Sequence, residues 1–196
     1  TGAVETLLVA SADEPFTGYG LIAESIEWPP DRSWVIFHLR PQARWHDGTP
    51  ITAEDVAWSF ETLVSQGNPQ YRFYYSAVSS AEALDAARVR FTFRESNNRE
   101  LPLIVGQLPI LPKHYWATRD FGATTLDPPL GSGPYQIREF EAGRFTIRER
   151  VEDYWGLGLA VRRGMQNFQT IRTDFFRDAT PIRLALKAGD IDFRLE

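Results

Sequence analysis

The chain has 196 residues, a formal net charge of −5, 43% hydrophobic side chains and 24% charged ones. That length suits one domain or two small lobes, and that composition can bury a core. Both signs of charge are interspersed, with no basic block of the kind that grips nucleic acid, and no apolar run approaches the ~18 residues that span a bilayer. There is no cysteine, which excludes disulfides and thiol catalysis and removes the commonest zinc ligands. The opening Thr1-Gly2-Ala3 carries no secretory leader, the pattern expected of a mature or truncated product.

In chain order, residues 4–10 read as a short helix, 13–18 as a loop and 21–28 as a strand ended by Pro29-Pro30-Asp31. Residues 34–40 form a strand with Val35, Phe37 and Leu39 on one face, close enough to the previous run for a hairpin. Thr52 caps the next helix, with Asp55 as a short-armed capping-box partner, and Val56, Phe60, Leu63 and Val64 make an apolar stripe before Gly67-Asn68-Pro69 stops it. Glu54 and Asp55 lie in its first turn, where the helix dipole favours a negative charge by roughly 0.3–1 kcal/mol.

Residues 78–84 predict a strand, 85–87 a turn and 88–94 a strand in which Val89, Phe91 and Phe93 alternate with polar residues, one face buried and one wet. Residues 100–107 predict a short helix and 113–116 the start of another element; a Gly/Pro-rich loop over 124–133 leads to a hairpin of 135–140 and 144–150. Residues 171–176 read as a strand, then Thr180 caps a helix with Pro181 at its first position and Gly189 at its end. Residues 191–195 alternate as a last strand, which should lie parallel to 171–176. The pattern predicts a mixed α/β fold, a mainly antiparallel sheet with flanking helices and a βαβ tail. A chain stopping inside a buried strand leaves ladder groups unpaired, so a piece of a longer protein is expected.

Several segments carry a resemblance. The strand ending Leu39-Arg40 is followed by Trp45-His46-Asp47-Gly48 and then by Thr52-Ala53-Glu54-Asp55-Val56; further on come Gly131-Ser132-Gly133-Pro134-Tyr135, the run Arg148 to Gly156 with Tyr154-Trp155, and Leu186-Lys187-Ala188-Gly189-Asp190-Ile191-Asp192. In this order they closely resemble family 5 extracellular solute-binding proteins, the peptide- and nickel-binding receptors of bacterial ABC importers. One departure is Val151-Glu152-Asp153, where that family usually has Asn-Pro. Residues 98–109 and 167–172 resemble the YejA-like branch, associated with uptake of peptides and peptide-nucleotide antibiotics. The resemblance implies part of a lobe of a two-lobed periplasmic binding protein fold of type II. Residues 20–112 would be an inserted subdomain and residues 1–19 with 113–196 part of the first lobe, the second lobe lying outside this chain. It also implies a periplasmic or exported, membrane-anchored monomer that captures peptides or peptide-like compounds for permease subunits of an importer, with no cofactor and no nucleic acid.

Candidate chemistry is weighed residue by residue. His46 beside Asp47 invites an acid–base reading, but Asp-Gly is turn chemistry, and adjacent side chains seldom meet one reacting atom. Glu54 and Asp55 point about 100° apart on a helix, so capping explains them better than paired carboxylates. His38, His46 and His114 have no ligand spacing, so no metal is expected. Gly131-Ser132-Gly133 lacks the lysine and the following helix of a phosphate loop, and offers backbone that can approach a ligand. Tyr71, Tyr74 and Tyr75, read as lying in a loop, are the ligand candidates together with Ser132; polar-tipped aromatics suit a cleft for varied side chains. A hydrolase built on a carboxylate or His–Asp pair, and a ligand-sensing domain on the same fold, remain the alternatives.

Overall fold

The computed structural model describes residues 3–123 and 125–194. A two-stranded antiparallel sheet pairs β1 (Leu8–Ala10) with β2 (Gly18–Gly20). A four-stranded antiparallel sheet has the order β3-β4-β6-β5, from β3 (Ala23–Glu27), β4 (Trp34–Leu39), β5 (Val78–Ala83) and β6 (Arg88–Phe93). A three-stranded antiparallel sheet joins β7 (Tyr135–Glu141), β8 (Phe145–Arg150) and β9 (Thr170–Asp174) in sequence order. The helices are α1 (Ala53–Gln66), α2 (Pro69–Tyr74), α3 (Leu101–Gly106), α4 (Lys113–Trp116) and α5 (Ala179–Ala188).

Alternation builds the centre of the large sheet. Val35 and Phe37 of β4 lie in register with Phe91 and Val89 of β6, Leu39 of β4 lies in register with Ala23 of β3, and all six are buried. The ring of Phe37 meets Phe91 edge-on at 5.9 Å, and Phe60 of α1 meets Phe91 in the same way. Helix α1 covers this face with Val56, Phe60 and Leu63, the stripe its spacing requires. Its capping box is complete: the Thr52 hydroxyl accepts the Asp55 amide at 3.3 Å, and the Asp55 carboxylate accepts the Thr52 amide at 2.9 Å. One core continues from Leu7 and Leu8 through this sheet to Tyr154 and Trp155.

Four expectations are corrected. Residues 4–10 are not helical; β1 occupies the end of the segment, and its backbone is held by distant partners. The Leu7 carbonyl accepts the Leu21 and Ala23 amides, and the Glu5 carbonyl accepts the Ile110 amide. Residues 71–74 are not loop but the body of α2, started by Asn68, whose side chain accepts the Gln70 amide at 3.0 Å, and by Pro69 in the first turn. In α5 the cap is Asp178, which accepts the Thr180 amide at 3.1 Å, so Pro181 sits at the third helical position, where no intrahelical donor is needed. Gly189 ends α5 in the left-handed region at φ 79°, as the sequence requires. Residues 191–194 form no strand, β9 pairs with β8 alone among the described residues, and Leu195 falls outside them; the predicted parallel pair is therefore not seen there.

Helix α5 has no buried residue, and Leu184 and Leu186 on it are exposed, as are Phe168, Phe175 and Phe176 next to β9 in sequence and Phe193 after α5.

Candidate functional site

The Trp45-to-Gly48 segment is a turn that clasps three parts of the chain. Asp47 Oδ1 accepts the Thr49 amide at 3.0 Å and its hydroxyl at 2.7 Å, while Oδ2 meets His114 Nε2 at 2.9 Å. Gly48 takes φ 87°, a left-handed value open to glycine. Although partial burial pushes the other way, the bonds from Thr49 and His114 hold the Asp47 carboxyl below its ordinary value. His46 turns away from Asp47: its amide donates to the Gly131 carbonyl at 2.8 Å, and Nε2 lies 2.7 Å from the Gly133 carbonyl, an acceptor only, so that nitrogen carries the proton. His46 and Asp47 thus serve different partners and form no acid–base pair.

The loop that His46 grips is buried. The Ser132 hydroxyl accepts the Glu5 amide at 3.1 Å, and the Ser132 carbonyl accepts the Trp155 indole at 2.9 Å. A Cβ on Gly131 would stand 2.1 Å from the Ala3 carbonyl oxygen, so glycine here is a requirement of close packing. Beside it, buried Glu5 accepts the Tyr154 hydroxyl at 2.6 Å and pairs with Arg162 at 2.5 Å. Burial raises the Glu5 carboxyl above its usual range, with Arg162 and Tyr154 offsetting part of the rise. Glu54 pairs with Lys113 at 3.0 Å on the surface, while Asp55 faces inward to its cap; the two carboxylates share no site.

The three candidate tyrosines cluster. Tyr71 stacks on Tyr75 with 6.2 Å between ring centroids, and Tyr74 meets Tyr75 edge-on at 5.2 Å. Tyr75 is buried against Phe60, and burial, with Tyr74 and Tyr71 nearby, raises its phenol. Tyr74 is half exposed, and Phe73 beside it is 84% exposed. Asn68, Tyr71, Tyr74 and Gln107 edge an open depression of about 560 Å³. A second depression of about 490 Å³ lies between the turn at residues 11–17 and α3, floored by Leu8, Leu103 and Ile104. Tyr74 and Gln107 line both, which makes one concave strip. Ser132 lines neither.

Sequence reasoning passed over the 11–17 turn. Phe16 stands there 80% exposed at φ 56°, unusual for a bulky residue. The available signal was an aromatic side chain in the polar stretch Asp13-Glu14-Pro15-Phe16-Thr17-Gly18.

Antiparallel sheets with helices on one core, and a long clasp from Ala3 and Glu5 to the loop before β7, are the architecture of part of a lobe of a periplasmic binding protein. The chain belongs to the bacterial extracellular solute-binding proteins, family 5, whose model matches residues 18–196. It is 44% identical to the protein of Agrobacterium fabrum named "Probable peptide-binding protein YejA", over 98% of this chain and 32% of that protein. It is similar in structure to AgaA of A. tumefacien R10, solved with agropinic acid, at a TM-score of 0.81 and 26% identity, over 97% of this chain and 37% of that one. The oligopeptide-binding protein AppA of Bacillus subtilis, solved with a nonapeptide, shares the fold at a TM-score of 0.79 and 23% identity, over 97% of this chain and 37% of that one. The chain spans about a third of the length of the curated relatives it matches. Among the described residues, no helix is long and apolar enough to cross a membrane.

Proposed function

We propose that this chain is the ligand-capturing part of an ABC importer's receptor for peptides or peptide-like compounds. The observation that carries the reading is the concave strip across Tyr74 and Gln107 on a family 5 solute-binding domain. Its apolar floor and polar-tipped aromatic edge suit an extended ligand with varied side chains. Tyr71 and Tyr74 touch the ligand. Tyr75 supports their rings from within the core, and Ser132 acts indirectly by holding Glu5, ahead of β1. Residues 20–112 form the inserted subdomain, residues 1–19 and 113–196 part of the first lobe, and a second lobe elsewhere in the polypeptide closes over the strip.

The protein works as an exported, periplasmic monomer that passes ligand to permease subunits and leaves it chemically unchanged; the separate engagements of His46, Asp47, Glu54 and Asp55 support binding without turnover. Calorimetry of the whole gene product against a pool of short peptides tests this. Saturable binding with the peptides recovered intact is expected. No binding, or hydrolysed peptide, refutes it.

A further inference from the structure

Phe16 occupies a backbone position that does not favour it. The Thr17 amide donates to the Glu14 carbonyl at 3.3 Å, which closes a four-residue turn with Pro15 and Phe16 at its centre. Proline fixes a negative φ at the first central position, and Phe16 follows at φ 56° in the second. Turns of this pattern take glycine or asparagine there, because a larger side chain is strained in the left-handed region. The turn is nevertheless held firmly. The Ser11 amide donates to the Thr17 carbonyl at 2.9 Å, the Glu14 amide donates to the Ser11 hydroxyl at 3.2 Å, and the Tyr19 hydroxyl donates to the Glu14 carboxylate.

The fold does not use the ring that this strained position carries. Phe16 is largely exposed, and it has no aromatic or cation–π partner among the described residues. What the ring does line is the depression floored by Leu8, Leu103 and Ile104. That floor is closely packed: a Cβ on Gly106 would stand 2.5 Å from Leu8 Cδ1, so glycine lets β1 sit directly on α3. An enforced, strained conformation whose side chain serves no packing role is the pattern of ligand clamps.

We propose that Phe16 is a specificity-determining residue: its ring clamps a large aliphatic or aromatic side chain of the ligand against Leu8, Leu103 and Ile104. The proposal rests on the binding reading above. Tyr74 and Gln107 line both depressions, so this apolar subsite is continuous with the Tyr71 side of the strip and serves the same extended ligand. A large side chain held between the phenyl ring and the aliphatic floor removes apolar surface from water on both of its faces. The tied turn fixes the ring before the ligand arrives, so little freedom is lost on binding. A small or polar side chain gains none of this.

The test is calorimetry on the whole gene product with pentapeptides Ala-Ala-X-Ala-Ala, where X is Phe, Leu or Ala. The Phe peptide should bind about tenfold tighter than the Ala peptide, with the Leu peptide between them. Phe16→Asn puts a residue that tolerates the left-handed region at the turn. It should raise the midpoint of thermal unfolding, weaken the Phe peptide several-fold and leave the Ala peptide's affinity unchanged. Phe16→Tyr should keep the preference. No preference among the three peptides, or a preference undiminished in Phe16→Asn, overturns the proposal and spares the binding reading. So does an equal loss for all three peptides with a lowered midpoint, which would make the ring merely structural. Absence of binding by all three peptides and by the peptide pool overturns both.

Discussion

Asp55 Oδ1 accepts the backbone amide of Lys113 at 2.9 Å, across 58 positions of sequence, while its other oxygen takes the Thr52 amide and hydroxyl. One buried carboxylate therefore caps α1 and fixes the start of α4. Asp55→Ala should cost about 2–4 kcal/mol, because the Lys113 amide loses its acceptor along with the cap. Thr52→Ala should cost about 1 kcal/mol. Urea denaturation of both variants checks this; equal losses would mean that the tie to Lys113 contributes nothing.

Asp47 makes a second case for structure over chemistry. Losing its bonds to Thr49 and His114, Asp47→Ala should destabilise the fold by about 1–2 kcal/mol and leave ligand binding by the whole gene product intact. Unchanged stability with abolished binding would contradict the turn assignment.

The lowered Asp47 carboxyl also predicts a pH dependence. Its folded value lies below the ordinary 3.8, so the unfolded chain takes up the proton first as pH falls. The contribution is complete well above 3.8 and is lost as pH drops through the folded value. Stability curves of the parent and of Asp47→Asn should converge in that acidic window. A constant gap from neutral pH to acid would show that the carboxylate charge is irrelevant.

Glu5 and Arg162 form a pair shielded from solvent. Removing one partner strands the other, so Glu5→Leu or Arg162→Met alone should each cost about 3–5 kcal/mol. The double variant should cost clearly less than the sum. Strictly additive losses in the double-mutant cycle would refute the coupling.

Tyr74 and Tyr75 should separate binding from folding. Tyr75→Ala empties a core position and should cost about 3–5 kcal/mol, measured by thermal unfolding. Tyr74→Ala should leave stability within about 0.5 kcal/mol and weaken peptide binding to the whole gene product. The reverse pattern would move the ligand surface away from α2.

The sequence by itself determined the parts whose signals are local. The alternation in β4 and β6, the Thr52–Asp55 box with its stripe on α1 and the Gly189 stop are written in residues a few positions apart, and backbone geometry turns those spacings directly into faces and caps. The ordered set of family motifs was legible for the same reason, since each is a short turn or cap. Only the tertiary structure decided that residues 8–10 are strand, that Tyr75 is core while Tyr74 is surface, and that Ser132 is buried. The Ser132 hydroxyl meets the Glu5 amide from 127 positions away, and Tyr154 meets Glu5 from 149. Periodicity over a few residues carries no record of such partners. A backbone amide or a ring takes whichever acceptor or apolar wall the packed chain brings to it, and the concave strip where β1, the 11–17 turn, α2 and α3 converge exists only after that packing.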